Sequence, residues 1–367
     1  MSPKKRRSKG RTALNTTVLL ALLATSGWLT VEMRQRADTG RLPALGSLRA
    51  DPTASDGATD APAAAGRVTY LRLTHPARTV ARDKDGDVLA TFTDGARTAV
   101  LTGPSRTFAE PRTTQATVVT DSWVRLLPRA WTKGAEQQKW FTTWFHKYLG
   151  STAEDVFAVA LQYGDGAKPA KNALGQRFRG DSQFGPVDVV NQRKEQSDFY
   201  DYLGASFTFK DGLRETPEKS KYGSLDCSGF VRMVYGYRSG YLLNATDQST
   251  GAGLPRTANG IATGKPGLPI LPLVKTGNTT NPLYYYARPS TIDALQPGDL
   301  VFFELDKRTG TRLDHMAIYL GLDTDGHARF ISSRKEANGP TLGDLGGDSR
   351  LDGDGFYAKW LRSAKRI

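Results

Sequence analysis

A single cysteine, Cys227, in a chain of 367 residues rules out an internal disulfide, so whatever this sequence folds into is held together by packing. The composition permits that. With 38% hydrophobic and 24% charged residues the chain resembles an ordinary globular protein, and its length suits two or three compact units.

The formal charge of +13 needs to be located before it is interpreted. Residues 1–50 hold ten Lys and Arg against two acidic residues, so more than half of the excess sits in the N-terminal tail. Lys4, Lys5, Arg6, Arg7, Lys9 and Arg11 precede an apolar run centred on residues 18–24, the charged-then-apolar order of a targeting segment. As a helix, residues 13–31 would reach about 28 Å, against a hydrocarbon thickness of about 30 Å. Residues 1–31 are therefore expected to be a signal peptide cut near Ala24-Thr25-Ser26, or a membrane anchor with its basic end inside. Either places the rest outside the cytoplasm, secreted or tethered to the cell membrane. A lone thiol there is open to oxidation, and its retention points to chemistry, although a buried structural cysteine is the plainer reading. No aromatic-interleaved basic stripe follows the tail, so nucleic acid is not an expected partner.

Residues 32–66 read as a linker, with 50–66 almost wholly Ala, Pro, Asp, Thr and Gly. Residues 67–130 alternate at period two, as in Val68-Thr69-Tyr70-Leu71-Arg72-Leu73, and carry turn signals at Asp85-Gly86 and Asp94-Gly95. About five strands in a small all-β module are expected. Residues 131–196 form a helical connector. Trp140, Phe141, Trp144, Phe145 and Tyr148 fall on one helix face, better suited to packing on a core than to a carbohydrate platform. Ser151-Thr152-Ala153-Glu154 predicts a capping box for a second helix.

The chemistry concentrates in residues 197–367. Asp226 is placed to cap a helix whose first turn contains Cys227 and whose apolar face is Val231, Val234, Tyr235 and Tyr237. The positive end of that helix favours thiolate, the attacking form of the residue. Ser228 and Gly229 keep the neighbourhood small enough for a peptide backbone to approach, and the Cys227 N–H is a candidate oxyanion donor. A nucleophile of this kind needs a base on another element. Of four histidines, His315 opens the apolar strand His315-Met316-Ala317-Ile318-Tyr319-Leu320-Gly321. It follows a second buried strand, Leu300-Val301-Phe302-Phe303. His75 and His146 read as surface or structural.

These pieces resemble the NlpC-type peptidases, bacterial cell-wall hydrolases on a papain-like fold. Four motifs occur in that family's order: Asp226-Cys227-Ser228-Gly229-Phe230, Leu254-Pro255-Arg256-Thr257, Gln296-Pro297-Gly298-Asp299-Leu300-Val301-Phe302-Phe303, and His315 with Ile318-Tyr319-Leu320-Gly321. The resemblance implies an α+β catalytic domain over 197–367. It also implies a cofactor-free, metal-free thiol peptidase acting on peptidoglycan peptide stems, typically between D-γ-glutamate and a diamino acid. Cys227 would be the nucleophile and His315 the base. Asp226 and Ser228 would hold the free amino end of the stem.

Two positions depart from the family pattern. The polar residue that orients the histidine, often His, Asn or Gln, falls on Ser332, with His327 the alternative. The upstream aromatic that meets substrate falls on Phe207 where Tyr is usual, with Tyr222 the other candidate. Residues 251–290, including Tyr284-Tyr285-Tyr286, form an unusually long connection, read as a cleft wall or as surface elaboration. The Asp352/Asp354 tail lacks the remaining ligands of a calcium loop. An amidase or acyltransferase on the same Cys–His pair, or an inactive wall-binding scaffold, are the alternative functions.

Overall fold

The structure, a computed structural model, describes residues 59–61, 68–188 and 192–367. The basic apolar segment at 1–31 and most of the linker lie outside the described residues. Among those described, no helix is long and apolar enough to cross a membrane. The architecture is mixed α+β, built on two six-stranded antiparallel sheets.

The first sheet is a meander in chain order: β1 (Thr59–Ala61), β2 (Val68–Leu73), β3 (Arg78–Arg82), β4 (Val88–Thr93), β5 (Thr98–Ala109) and β6 (Thr117–Leu126). The expected turns form at Asp85-Gly86 and Asp94-Gly95, where both glycines take φ near +80 to +90°, a conformation that costs other residues more. Across one face lies the helix Lys139–Tyr148. It buries Phe141, Trp144 and Phe145 on Phe92 and Trp131, whose rings stack 4.5 Å apart. A ten-residue helix is marginal alone, so this aromatic burial, roughly 1.5–3 kcal/mol per large side chain, is what holds it. The aromatic stripe is core.

The second helix starts later than its sequence signal. Asp155 caps Val156–Ala160, accepting from Ala158 N at 2.9 Å. The same carboxylate accepts from Val124 N and pairs with Arg106, both on the sheet. These long-range partners fix the cap at Asp155 rather than at Ser151-Thr152-Ala153-Glu154. Further along, Phe108, Val118 and Val124 leave the aromatic cluster and join the core of the C-terminal fold. The first sheet and that fold therefore share buried surface.

Two short ribbons, β7 (Ala170–Lys171) with β8 (Arg177–Arg179) and β9 (Phe207–Thr208) with β10 (Arg214–Glu215), lie between the large sheets in sequence. The second large sheet has the order β11 (Leu268–Leu271), β16 (Leu361–Arg366), β12 (Leu300–Phe303), β13 (His315–Leu322), β14 (Ala328–Arg334) and β15 (Gly339–Thr341). Period two divides its residues cleanly. Leu300, Phe302, Met316, Ile318 and Ile331 pack beneath the helices, while Val301, Phe303, Ala317, Tyr319 and Phe330 face Tyr357 and Leu361. Residues 251–290 are more ordered than a loop. They contain the helix Ala258–Thr263 and edge strand β11. The buried Lys365 ammonium donates to Ile261 O and Gly264 O, tying that helix to β16.

Candidate active site

Cys227 opens the helix Cys227–Val231, which continues as a wider π-helical stretch over Arg232–Arg238. Asp226 caps it as expected, accepting from Gly229 N at 2.7 Å and from the Ser228 hydroxyl at 3.0 Å. The glycine requirement has a different cause from the one expected. A Cβ on Gly229 would lie 2.1 Å from Ser197 O, so the backbone that comes close is this chain's own. Ser197 O also accepts from Asp226 N at 2.8 Å, locking the segment before the helix Phe199–Leu203 against the turn that leads into Cys227.

Behind that turn is a buried ionic network. Arg256 donates to Asp226 at 2.8 Å and to the Ser228 hydroxyl at 2.8 Å, and pairs with Asp198 at 3.5 Å. Arg232, on the Cys227 helix, pairs with Asp198 at 3.0 Å and donates to the carbonyls of Asn244, Leu254 and Pro255. These bonds fix the Leu254-Pro255-Arg256-Thr257 segment against the helix. Burial pushes the Asp226 carboxyl up, but Arg256 and its hydrogen bonds outweigh this and hold it below the usual carboxylate range.

His315 opens β13, paired antiparallel with Phe303 of β12, so the two expected strands lie side by side. Cys227 and His315 line the same cleft, of about 820 Å³. The sulfur lies 3.8 Å from Asp314 O, and the Met316 main-chain N–H is directed at it. The Asp314 carboxylate accepts from Leu305 N, Asp306 N and the Thr309 hydroxyl, closing the turn that delivers His315.

Both side chains are pushed toward their neutral forms. Burial pushes the Cys227 thiol well up, aided by the negative charges of Asp226 and Glu195, and outweighs the Met316 N–H and the charge of Arg256, so the expected preference for thiolate is not met. Burial also pushes His315 down to about 3, reinforced by the guanidinium of Arg334. The His315 imidazole packs among Phe303 and Tyr357, and its Nε2 is buried with no hydrogen-bond partner. Nδ1 is the nitrogen left to face the cleft.

The remaining candidates are placed as follows. Ser332 is fully buried on β14, its hydroxyl accepting from Arg334 Nε at 3.0 Å. Asp226 and Ser228 flank Cys227 and are committed to Arg256. Phe207 packs edge-on against Phe199 and Phe209, and Tyr222 is half-exposed against Gly204; neither lines the cleft. His327 sits outside it too, 2.8 Å from both Asp352 and Arg350. Tyr284 and Tyr286 line a separate depression with Trp360 and Arg362, so these two tyrosines form no wall of the Cys227 cleft.

Sequence reasoning missed Arg334 and Tyr357. Arg334 donates to the carbonyls of Gly343, Leu345 and Gly347, and its Cζ lies 4.5 Å over the Tyr357 ring. Tyr357 lines the cleft from the helix Phe356–Trp360. No signal near either residue in sequence marks it, because their partners come from other strands and loops.

Residues 205–343 match the profile of the NlpC/P60 family. A solved structure from Staphylococcus aureus, described as similar to a lipoprotein of the NLP/P60 family, matches at 22% identity. That match covers 46% of this chain and 38% of the other, and its TM-score of 0.23 carries no argument about geometry. No curated protein matches this chain.

Proposed function

The C-terminal part of this chain belongs to the NlpC/P60 family, and from that premise we propose that it is a cell-wall endopeptidase cutting peptidoglycan stem peptides by a thiol mechanism. One observation carries the reading: the only thiol in the chain, at a helix N-terminus, lines one cleft together with the His315 imidazole. A papain-like arrangement, with residues 197–367 as the catalytic domain behind a β module and helical connector, belongs to the same proposal. So do an exported location and the anchor or signal at residues 1–31.

In this mechanism the Cys227 sulfur attacks the scissile carbonyl as its proton passes to His315. The tetrahedral adduct collapses to a thioester as His315 returns that proton to the departing amine, and water then hydrolyses the thioester. Because both groups rest neutral, the proton moves during attack, with no preformed thiolate–imidazolium pair. Ser332 is the proposed acceptor for the imidazolium N–H, since its oxygen keeps a second lone pair beside the bond from Arg334. Asp226 and Ser228 would meet the amino end of a stem only by exchanging Arg256 for it. The bond proposed is D-γ-glutamyl–diamino acid. Incubating the chain with purified peptidoglycan fragments, beside Cys227→Ala and His315→Ala, and reading products by mass spectrometry tests the proposal. Cleavage by the intact protein alone supports it; cleavage that survives either substitution overturns it.

A second reading is favoured by the orphaned Nε2 and by Arg334 next to it. Such a site could be a wall-binding scaffold that retains the motif. Binding to walls with no product at any pH would favour it.

A further inference from the structure

The family pattern places a tyrosine upstream of the nucleophile, and here that position is Phe207, which packs against Phe199, Phe209 and Tyr237 away from the cleft. A phenol nonetheless reaches the site from the opposite end of the sequence. Tyr357 is 3% exposed, lines the cleft with Cys227 and His315, and presents its ring 5.5 Å from the imidazole. The ring is clamped on every side. Phe303 and Phe330 meet it at 5.4 and 5.2 Å, Phe356 at 5.2 Å, and the Arg334 guanidinium covers it at 4.5 Å. Among the described residues its hydroxyl has no hydrogen-bond partner, and it is not among the buried unpaired polar atoms, as suits a group at the wall of the cleft. Burial raises the pKa of the phenol and outweighs the opposing pull of Arg334, with Glu336 adding to the rise, so the hydroxyl stays protonated and remains a donor.

We infer that Tyr357 is a catalytic residue whose hydroxyl donates a hydrogen bond to the carbonyl oxygen as that oxygen becomes an oxyanion. The inference rests on the thiol-hydrolase reading of the site but not on any particular substrate. As the sulfur–carbon bond forms, the carbonyl π pair moves onto oxygen and the thiol proton passes to His315. The Tyr357 O–H and the Cys227 N–H then share that negative charge. Collapse re-forms the carbonyl and breaks the bond to the leaving group, so the phenol keeps its own proton throughout. Rigid clamping suits this role, because an oriented donor stabilises the oxyanion without reorganising.

Tyr357→Phe removes the hydroxyl and keeps the ring, so the thermal midpoint should be unchanged. Two reactions of the full chain with Cys227 separate the possible roles. Acylation by a p-nitrophenyl ester passes through an oxyanion; alkylation by iodoacetamide does not. In Tyr357→Phe acylation should slow about 100-fold, the usual effect of losing one such donor, while alkylation stays within twofold. Equal slowing of both would mean that the phenol acts on the thiol, and slowing of neither would mean that it is idle; each overturns the inference. If the esters acylate Cys227 as expected but wall fragments are not cut, the proposed substrate fails and the role of Tyr357 stands.

Discussion

The guanidinium of Arg334 and the imidazole of His315 share the ring of Tyr357, at 4.5 and 5.5 Å respectively. A fixed positive charge therefore stands beside the group proposed to take a proton. Burial is the larger cause that pushes the imidazole down, and this charge adds to it. The compensation is architectural, since the same guanidinium gathers the carbonyls of residues 343, 345 and 347 beside the cleft.

The first consequence is kinetic. With His315 pushed down to about 3 and the Cys227 thiol pushed up, there is no pH window in which a thiolate–imidazolium pair dominates. Alkylation of Cys227 by iodoacetamide should rise about tenfold per pH unit through neutrality, following the thiolate fraction. A plateau between pH 5 and 8 would contradict this.

Arg334→Met should release His315. Its imidazole would titrate measurably higher by NMR, and the protein should lose on the order of 3 kcal/mol as buried carbonyls lose a charged donor. Arg334→Lys keeps the charge but not the fork, so it should destabilise with His315 still held low. An unchanged His315 titration in Arg334→Met would show that burial alone sets it.

The Asp226–Arg256 pair predicts an acid limb. Asp226 is held below its unfolded value, so its contribution to stability is present above about pH 4 and lost as pH falls through the folded value. Arg256→Met leaves the carboxylate buried without its partner. It should cost roughly 3–5 kcal/mol at pH 7 and much less at pH 2–3. Urea midpoints measured across that range test it; a penalty independent of pH would contradict it.

Glu304 works in the opposite direction. Its carboxyl is fully buried, neither oxygen accepts a hydrogen bond, and Arg362 lies 3.6 Å away. Burial pushes it up to about 7, against 4.5 ordinarily. Between those values the folded state binds more protons, so stability falls as pH rises from 4.5 to 7. Glu304→Gln should abolish that fall, on the order of 2–3 kcal/mol, as read by melting at pH 5 and pH 8. An unaltered pH profile would place the dependence elsewhere.

What the sequence disclosed, and what it hid, divides by the range of the interactions. The Asp226 cap depends on residues within three positions of it, and β12 and β13 are patterned by their own alternation, so the helix of Cys227 and the strand of His315 were legible. The aromatic face of Lys139–Tyr148 was legible for the same reason. Asp155 displaced the expected capping box because Arg106 and Val124 claim its carboxylate. Gly229 looked like room for substrate, yet its space is filled by Ser197. Tyr357 and Arg334 reach the site only through sheet order β12–β13–β14 and the return of the chain after residue 343, which no local pattern encodes.

The most direct test of the thiol mechanism is rapid-quench intact-mass spectrometry of the chain mixed with a stem peptide. A mass gain equal to the acyl portion of the peptide, mapped to Cys227 and absent in Cys227→Ala, is the predicted result. Peptide cleavage at the wild-type rate in Cys227→Ala, with Cys227 of the intact chain never acylated, would contradict it.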